Sequence, residues 1–207
     1  MEKSEKIKDI KIILLGDVGV GKTSIISRYY KNEFNTNMMC TATSTYILKV
    51  VKKNGISYNL NIWDTSGQER YRSVTKLFVQ GANIILLVYA IDDKDTFDIL
   101  EYWYKTITEL VEDEENNVLA IVGNKNDKFE EAVISEEDGK KYADEKKAFF
   151  KLVSAKVDSK GIFSLFDSLL DEYIKKTKQN FKQTSFKIDN KKLKKNKNKN
   201  KNRKKIC

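Results

Sequence analysis

The eight residues Gly16-Asp17-Val18-Gly19-Val20-Gly21-Lys22-Thr23 constrain this chain more than any other stretch. They follow an apolar run, Ile12-Ile13-Leu14-Leu15. They open a segment with apolar residues at helical spacing: Ile25, Ile26, Tyr29 and Tyr30. The pattern G-x-x-x-x-G-K-[ST] between a strand and a helix makes a loop that wraps phosphate oxygens. Its glycines let the backbone curl with N–H groups turned inward, where a side chain would block the approach. The start of the following helix adds free N–H donors and a partial positive charge. Lys22 then reaches the β- and γ-phosphates, and the Thr23 hydroxyl ligates Mg²⁺. Gly16 through Ser24, Val20 included, are the candidate phosphate-binding residues. A glycine-rich turn without chemistry fits the same letters, so the rest of the chain must decide.

Charge is divided unevenly. Residues 178–207 hold 13 of the 39 Lys and Arg and, in Asp189, one of the 30 acids, a net +12 that leaves residues 1–177 at −3. The basic character belongs to the tail and says little about the globular part. An apolar share of 40% is enough for a core there. Two cysteines, Cys40 and the terminal Cys207, make no disulfide framework and fit a reducing compartment. With no histidine in the chain, a histidine base or metal ligand is excluded. Met1-Glu2-Lys3-Ser4-Glu5 has no apolar stretch of a secretory signal, and Glu2 stands where N-myristoylation needs glycine. The longest apolar run, Ile84 to Ile91, is too short to span a bilayer and reads as a buried strand.

Taken in order, Ile10–Leu15 is expected as a strand, Lys22–Tyr30 as a helix and residues 31–45 as a loop. Tyr46–Lys53 and Ser57–Asp64 alternate around Asn54-Gly55, a hairpin signal. Thr65–Arg72 is turn-like and Ser73–Gln80 weakly helical. Strands follow at Asn83–Ile91, Asn117–Gly123 and Phe149–Ser154. Helices are expected at Thr96–Val111, at Ser135–Lys147 with Ser135 as N-cap, and at Ile162–Ile174. Strands alternating with helices argue for an α/β sheet, parallel except for the hairpin. From about residue 178 the pattern stops, and Lys194 to Lys205 is nearly all Lys and Asn, unable to bury a core. Residues 1–177 are therefore expected as one domain and 178–207 as a disordered tail.

Further stretches fall at telling distances from the first: Phe34, Thr41, Asp64-Thr65-Ser66-Gly67-Gln68-Glu69, Asn124-Lys125-Asn126-Asp127 and Ser154-Ala155-Lys156. In order and spacing the set resembles the five guanine-nucleotide motifs of the Ras-superfamily small GTPases, over roughly residues 9–176. The resemblance implies a six-stranded, mostly parallel sheet with helices on both faces. It also implies GTP/GDP and Mg²⁺ as ligands. A carboxylate such as Asp127 matches the paired ring N–H and amino donors of guanine, which adenine lacks. By resemblance Asn124 braces the site, the Lys125 stem lies along one face of the base, and Phe34 packs near the other. The Ala155 N–H meets the base carbonyl oxygen, with Ser154 fixing its turn and Lys156 completing the motif. Each of these residues alone is equally ordinary loop polarity.

Asp64, ending a strand, holds Mg²⁺ through water in this reading, with Thr23 and Thr41 as the other protein ligands. Thr41 and the Gly67 N–H meet the γ-phosphate, so both loops order with GTP and relax after hydrolysis. Gln68 orients the attacking water. Lys22, Thr41, Gly67 and Gln68 form the implied catalytic set. Ile62 through Ser73, Phe78 through Ala82 and Leu87-Val88-Tyr89 are similar to the Rab branch. Tyr46, Trp63 and Phe78 match three aromatics that Rab proteins show to effectors; as plain core aromatics they would look the same.

Departures from the Rab pattern are Met38, Ala42-Thr43, Val18, Ser66 and Ala90. They bear on effector choice and hydrolysis rate more than on nucleotide binding. The chain ends Lys204-Lys205-Ile206-Cys207, with one cysteine where the family usually has two prenylated ones. One lipid chain with a polybasic patch can anchor stably, so Cys207 is the expected lipidation site on an anionic leaflet. A solvated Lys/Asn tail of no specific use fits the same composition, and with no interleaved aromatics nucleic-acid binding is not expected. The expected function is a Rab-like GTP/GDP switch. It works with exchange factors, GAPs and effectors on the cytoplasmic face of an intracellular membrane, cycling with cytosol. A GTP-binding scaffold with negligible turnover, or a Ras-superfamily member of another branch, are the alternatives.

Overall fold

The computed structural model describes residues 7–36, 45–65, 78–111 and 117–180. Six strands form one sheet, β1 (Ile7–Leu15), β2 (Thr45–Lys53), β3 (Ile56–Asp64), β4 (Ile84–Ala90), β5 (Val118–Asn124) and β6 (Phe149–Leu152), in the order β2-β3-β1-β4-β5-β6. Only the β2–β3 hairpin pairs antiparallel. The other four pairings are parallel. The helices are α1 (Lys22–Lys31), α2 (Lys94–Asp98), α3 (Leu100–Leu110), α4 (Glu136–Glu145) and α5, residues 159–180.

The apolar runs are continuous because the central strands are buried on both faces. Every residue of β4 is buried. Alternate residues of β1 serve different cores. Ile10, Ile12 and Leu14 pack with Ile25 and Tyr29 of α1 and with Leu165, Phe166 and Leu169 of α5. Ile13 and Leu15 pack with Leu100, Trp103 and Ile107 of α3 and Ala143 of α4. Helices thus cover both faces, as expected. Chain order reverses between β1 and β4, and ligands of such sheets bind beyond the carboxyl ends of the strands at that switch point.

Several details differ from the sequence expectation, the start of β1 at Ile7 and not Ile10 among them. The helix expected over Thr96–Val111 is two helices joined at Ile99. Thr96 ties α2 to the end of β4, donating to the Asp93 carbonyl (2.7 Å) and accepting from the Ala90 amide (3.0 Å). The chain turns at Ile99 before α3 lays its apolar face on the core. β6 ends at Leu152, where Val153 still bonds β5 through its N–H but turns its carbonyl to the loop after β5. Its N–H donates to Gly123 (2.8 Å) and its carbonyl accepts from Asn126 (3.0 Å). A 3₁₀ helix, Asn126–Glu131, occupies that loop. α5 outruns Ile162–Ile174 at both ends; Lys176 holds its last turns, donating to the Asn117 carbonyl at 2.7 Å.

Candidate functional site

The loop between β1 and α1 is shaped by close approaches. A Cβ on Gly16 would lie 2.1 Å from the Val88 carbonyl oxygen of β4. Gly21, at φ 94°, caps α1, and a Cβ there would lie 2.3 Å from Nδ2 of Asn124. Lys22 is buried and curls back over the loop, its Nζ donating to the carbonyls of Gly16 and Asp17 at 2.8 Å each. The Asp17 carboxylate accepts from the Val18 amide at 2.7 Å. Val18 and Gly19 are exposed, Val20 is buried, and Thr23 and Ser24 are half-buried at the helix start. No acidic residue occupies the first turn of α1, so its positive end is left for an anion.

Two further loops converge on this one. Asn124, buried at the end of β5, donates through Nδ2 to the Val20 carbonyl (2.8 Å) and accepts through Oδ1 from the Ala155 amide (3.1 Å). The Ala155 N–H that the resemblance offers to a base carbonyl is thus engaged with Asn124. The Asp127 carboxylate accepts from the Ser154 hydroxyl at 2.5 Å, and its other oxygen lies 3.8 Å from Lys156 Nζ. Ser154 Oγ in turn accepts from the Val157 amide at 3.2 Å. A cleft of about 180 Å³ opens among these groups, lined by Gly21, Phe34, Lys125, Asp127, Ala155 and Lys156. Lys125 adopts positive φ (67°) to enter it.

Three residues that brace the loops around the cleft escaped the sequence. Asp92 lies 3.3 Å from Lys125 Nζ and 2.8 Å from Lys128 Nζ. Arg28 of α1 donates to the backbone of the Ser154–Lys156 loop. No motif marks Asp92, Lys128 or Arg28; helical spacing placed Arg28 only between core positions.

Asp64 ends β3 and is 1% exposed, with neither carboxylate oxygen in a well-formed hydrogen bond. Burial pushes its carboxyl up; the nearby Thr23 hydroxyl and the Lys22 charge pull the other way. A buried carboxylate beside a hydroxyl is a pair of hard oxygen donors, the chemistry Mg²⁺ prefers. Among the described residues no three Cys, Asp or Glu gather around a metal, so such an ion would complete its shell with phosphate and water. Tyr46, Trp63 and Phe78 form a row, with ring centroids 5.1 Å apart at each step. Tyr46 is exposed, and the other two are half-buried. Thr41, Gly67, Gln68 and Cys207, with Met38, Cys40, Ala42-Thr43 and Ser66, lie outside the described residues.

The three loops leave the carboxyl ends of β1, β5 and β6 and meet at one place, the glycine-rich loop at one end and the cleft around Asp127 at the other. A model of the Ras family matches residues 11–176. The chain is 38% identical to the Ras-related protein Rab-17 of Homo sapiens over 167 residues, 81% of this chain and 77% of that one. It is 37% identical to the Ras-related protein SEC4 of Saccharomyces cerevisiae over 171 residues, 82% and 78% of the two chains. It is 38% identical to the Ras-related protein RABA1b of Arabidopsis thaliana over 145 residues, 70% and 66%. The chain belongs to the Ras family and is, within it, a Rab-type small GTPase.

Proposed function

We propose that this Rab-type GTPase reads its nucleotide at two ends of one site: base at Asp127, phosphates at the loop of Gly16 to Ser24. The observation that carries this is Asn124. Its side chain is hydrogen-bonded at once to Val20 in the loop after β1 and to Ala155 in the loop after β6, so one residue sets the spacing of the two ends. Asp127 pairs the ring N–H and amino group of guanine, with Phe34 and the Lys125 stem on the two faces of the base. The Ala155 N–H, which donates to Asn124 Oδ1, donates to the base carbonyl as well.

Thr23 and Asp64 are suited to hold Mg²⁺ directly and through water, with Thr41 from the loop beyond. The ion, when bound, offsets the charge of the phosphates. Lys22 leaves the carbonyls of Gly16 and Asp17 for the β- and γ-phosphates, exchanging two neutral partners for charged ones. Gln68 holds the attacking water, and the Gly67 amide meets the γ-phosphate. Loss of that phosphate releases both loops, which is the switch that effectors read at Tyr46, Trp63 and Phe78. The basic tail and a lipid on Cys207 bring the protein to the cytosolic leaflet of a trafficking membrane.

Competition between GDP and XDP on Asp127→Asn tests the base end. The amide cannot serve the amino donor of guanine as a charged acceptor, whereas xanthine presents a carbonyl there, so preference is expected to move to XDP. Unchanged preference for GDP removes Asp127 from the base site. Single-turnover hydrolysis tests the other end: Gln68→Leu is expected to slow release of phosphate, and Val18→Ser, which removes two methyl groups beside the γ-phosphate, to speed it.

A further inference from the structure

Arg28 lies on α1, the helix whose first turn carries Lys22 and Thr23, but its side chain works at the opposite end of the site. Nε donates to the Ala155 carbonyl at 2.8 Å and Nη2 to the Lys156 carbonyl at 2.9 Å. Nη1 donates to the carbonyl of Asn32, the residue that ends α1, at 2.9 Å. The planar fork thus spends its donors on three backbone carbonyls, two of them in the base loop. Asn32 adds a strut, its side-chain oxygen accepting from Ser159 at the start of α5 (2.6 Å). The guanidinium also lies 6.0 Å from the Phe34 ring centre, on the wall of the base cleft.

We propose that Arg28 is a positioning residue that sets how long guanine nucleotide stays bound. It fixes the carbonyl side of the Ser154–Lys156 loop while Asn124 fixes the amide side. With both in place the Ala155 N–H and the Ser154–Asp127 pair stand ready before the base arrives, so binding does not have to order the loop. Without Arg28 two carbonyls are left to water and the loop loosens. None of Arg28's three bonds reaches the loop of Gly16 to Ser24, which the Asn124 amide still holds at Val20. The effect therefore falls on residence time and not on phosphate chemistry. This rests on the nucleotide reading above.

The test uses the full chain with Mg²⁺ present. Dissociation of a fluorescent GDP is followed in wild type, Arg28→Ala and Arg28→Lys, beside single-turnover GTP hydrolysis and melting at saturating GDP. Arg28→Ala is expected to release GDP about tenfold faster, a change of about 1.4 kcal/mol. Hydrolysis of bound GTP is expected to stay within about twofold of wild type, since it is fixed at the phosphate end. Arg28→Lys folds with the same charge but lacks the fork, so it is expected to restore less than half of the lost residence time. Equal GDP release in wild type and Arg28→Ala overturns the proposal. So does a parallel fall in hydrolysis, residence and melting temperature in both variants, which would make Arg28 a general prop. Failure of wild type to retain GDP would instead overturn the nucleotide reading on which the proposal stands.

Discussion

At the Asp127 cleft Asp92 holds two lysines, one of them Lys125, proposed above to lie on a face of the base. Burial pushes its carboxyl up, but the hydrogen bond from Lys128 and the charge of Lys125 outweigh this and keep it below the ordinary carboxylate range. It is ionised at neutral pH and pins the Lys125 stem over the cleft. Asp92→Asn keeps the shape and removes the charge. GDP release is expected to quicken about threefold, in line with a partly exposed charge pair of under about 1 kcal/mol. A stopped-flow release curve equal to wild type would leave Lys125 held by its backbone alone. Lys22, Asp64, Asn124 and Asp127 could be picked out as candidates in the sequence because each sits in one of several short motifs read together, although each alone is ordinary polarity. Asp92 and Arg28 could not. Lys128 lies 36 positions from Asp92, and Ala155 lies 127 from Arg28. Such pairings exist only once β4 and β5 lie side by side and α1 crosses to the end of β6.

Periodicity found the elements and missed their interruptions for a related reason. The Asn54-Gly55 turn fixed the hairpin locally. The break at Ile99 follows Thr96, whose hydroxyl accepts from Ala90 at the end of β4, a contact that spacing of apolar residues cannot register. One inter-helix tie is testable through pH. Glu101 of α3 is held below the usual glutamate range, first by the hydrogen bond from Lys146 at the end of α4. Burial opposes this, and the Lys146 charge, the Tyr142 hydroxyl and Lys105 add to it. Lys146 lies 2.7 Å from Glu101 and sits 4.4 Å over the Tyr104 ring. A carboxyl whose folded pKa is depressed adds stability that is complete above its unfolded value, near about 4.3, and is lost as pH falls through the folded value. The melting temperature of wild type is therefore expected to exceed that of Glu101→Gln at neutral pH. The gap should close on acidification below about pH 4. A gap independent of pH would place the tie in packing and not in charge.

For the molecule as a whole, charge separates a domain near neutral from a strongly basic tail. Within the described residues no helix is long and apolar enough to cross a membrane. The proposed membrane attachment rests on two signals, the basic tail and a lipid on Cys207. Cys207→Ser is expected to move the protein to the soluble fraction of its own cells, and wild type to leave anionic vesicles as salt rises while remaining on them at low salt. Undiminished membrane association of Cys207→Ser would locate the anchor elsewhere. The row of Tyr46, Trp63 and Phe78 has a consequence of another kind. The chain has two tryptophans, and Trp103 is sealed in the core at 2% exposure. Trp63 is half-buried in that row and adjoins Asp64. The two indoles therefore sit in different surroundings, one enclosed in the interior and one half-exposed next to Asp64. Emission is expected to change colour and intensity when GDP is exchanged for a non-hydrolysable triphosphate, and to stay unchanged in Trp63→Phe. The nucleotide state could then be followed in real time with no dye attached.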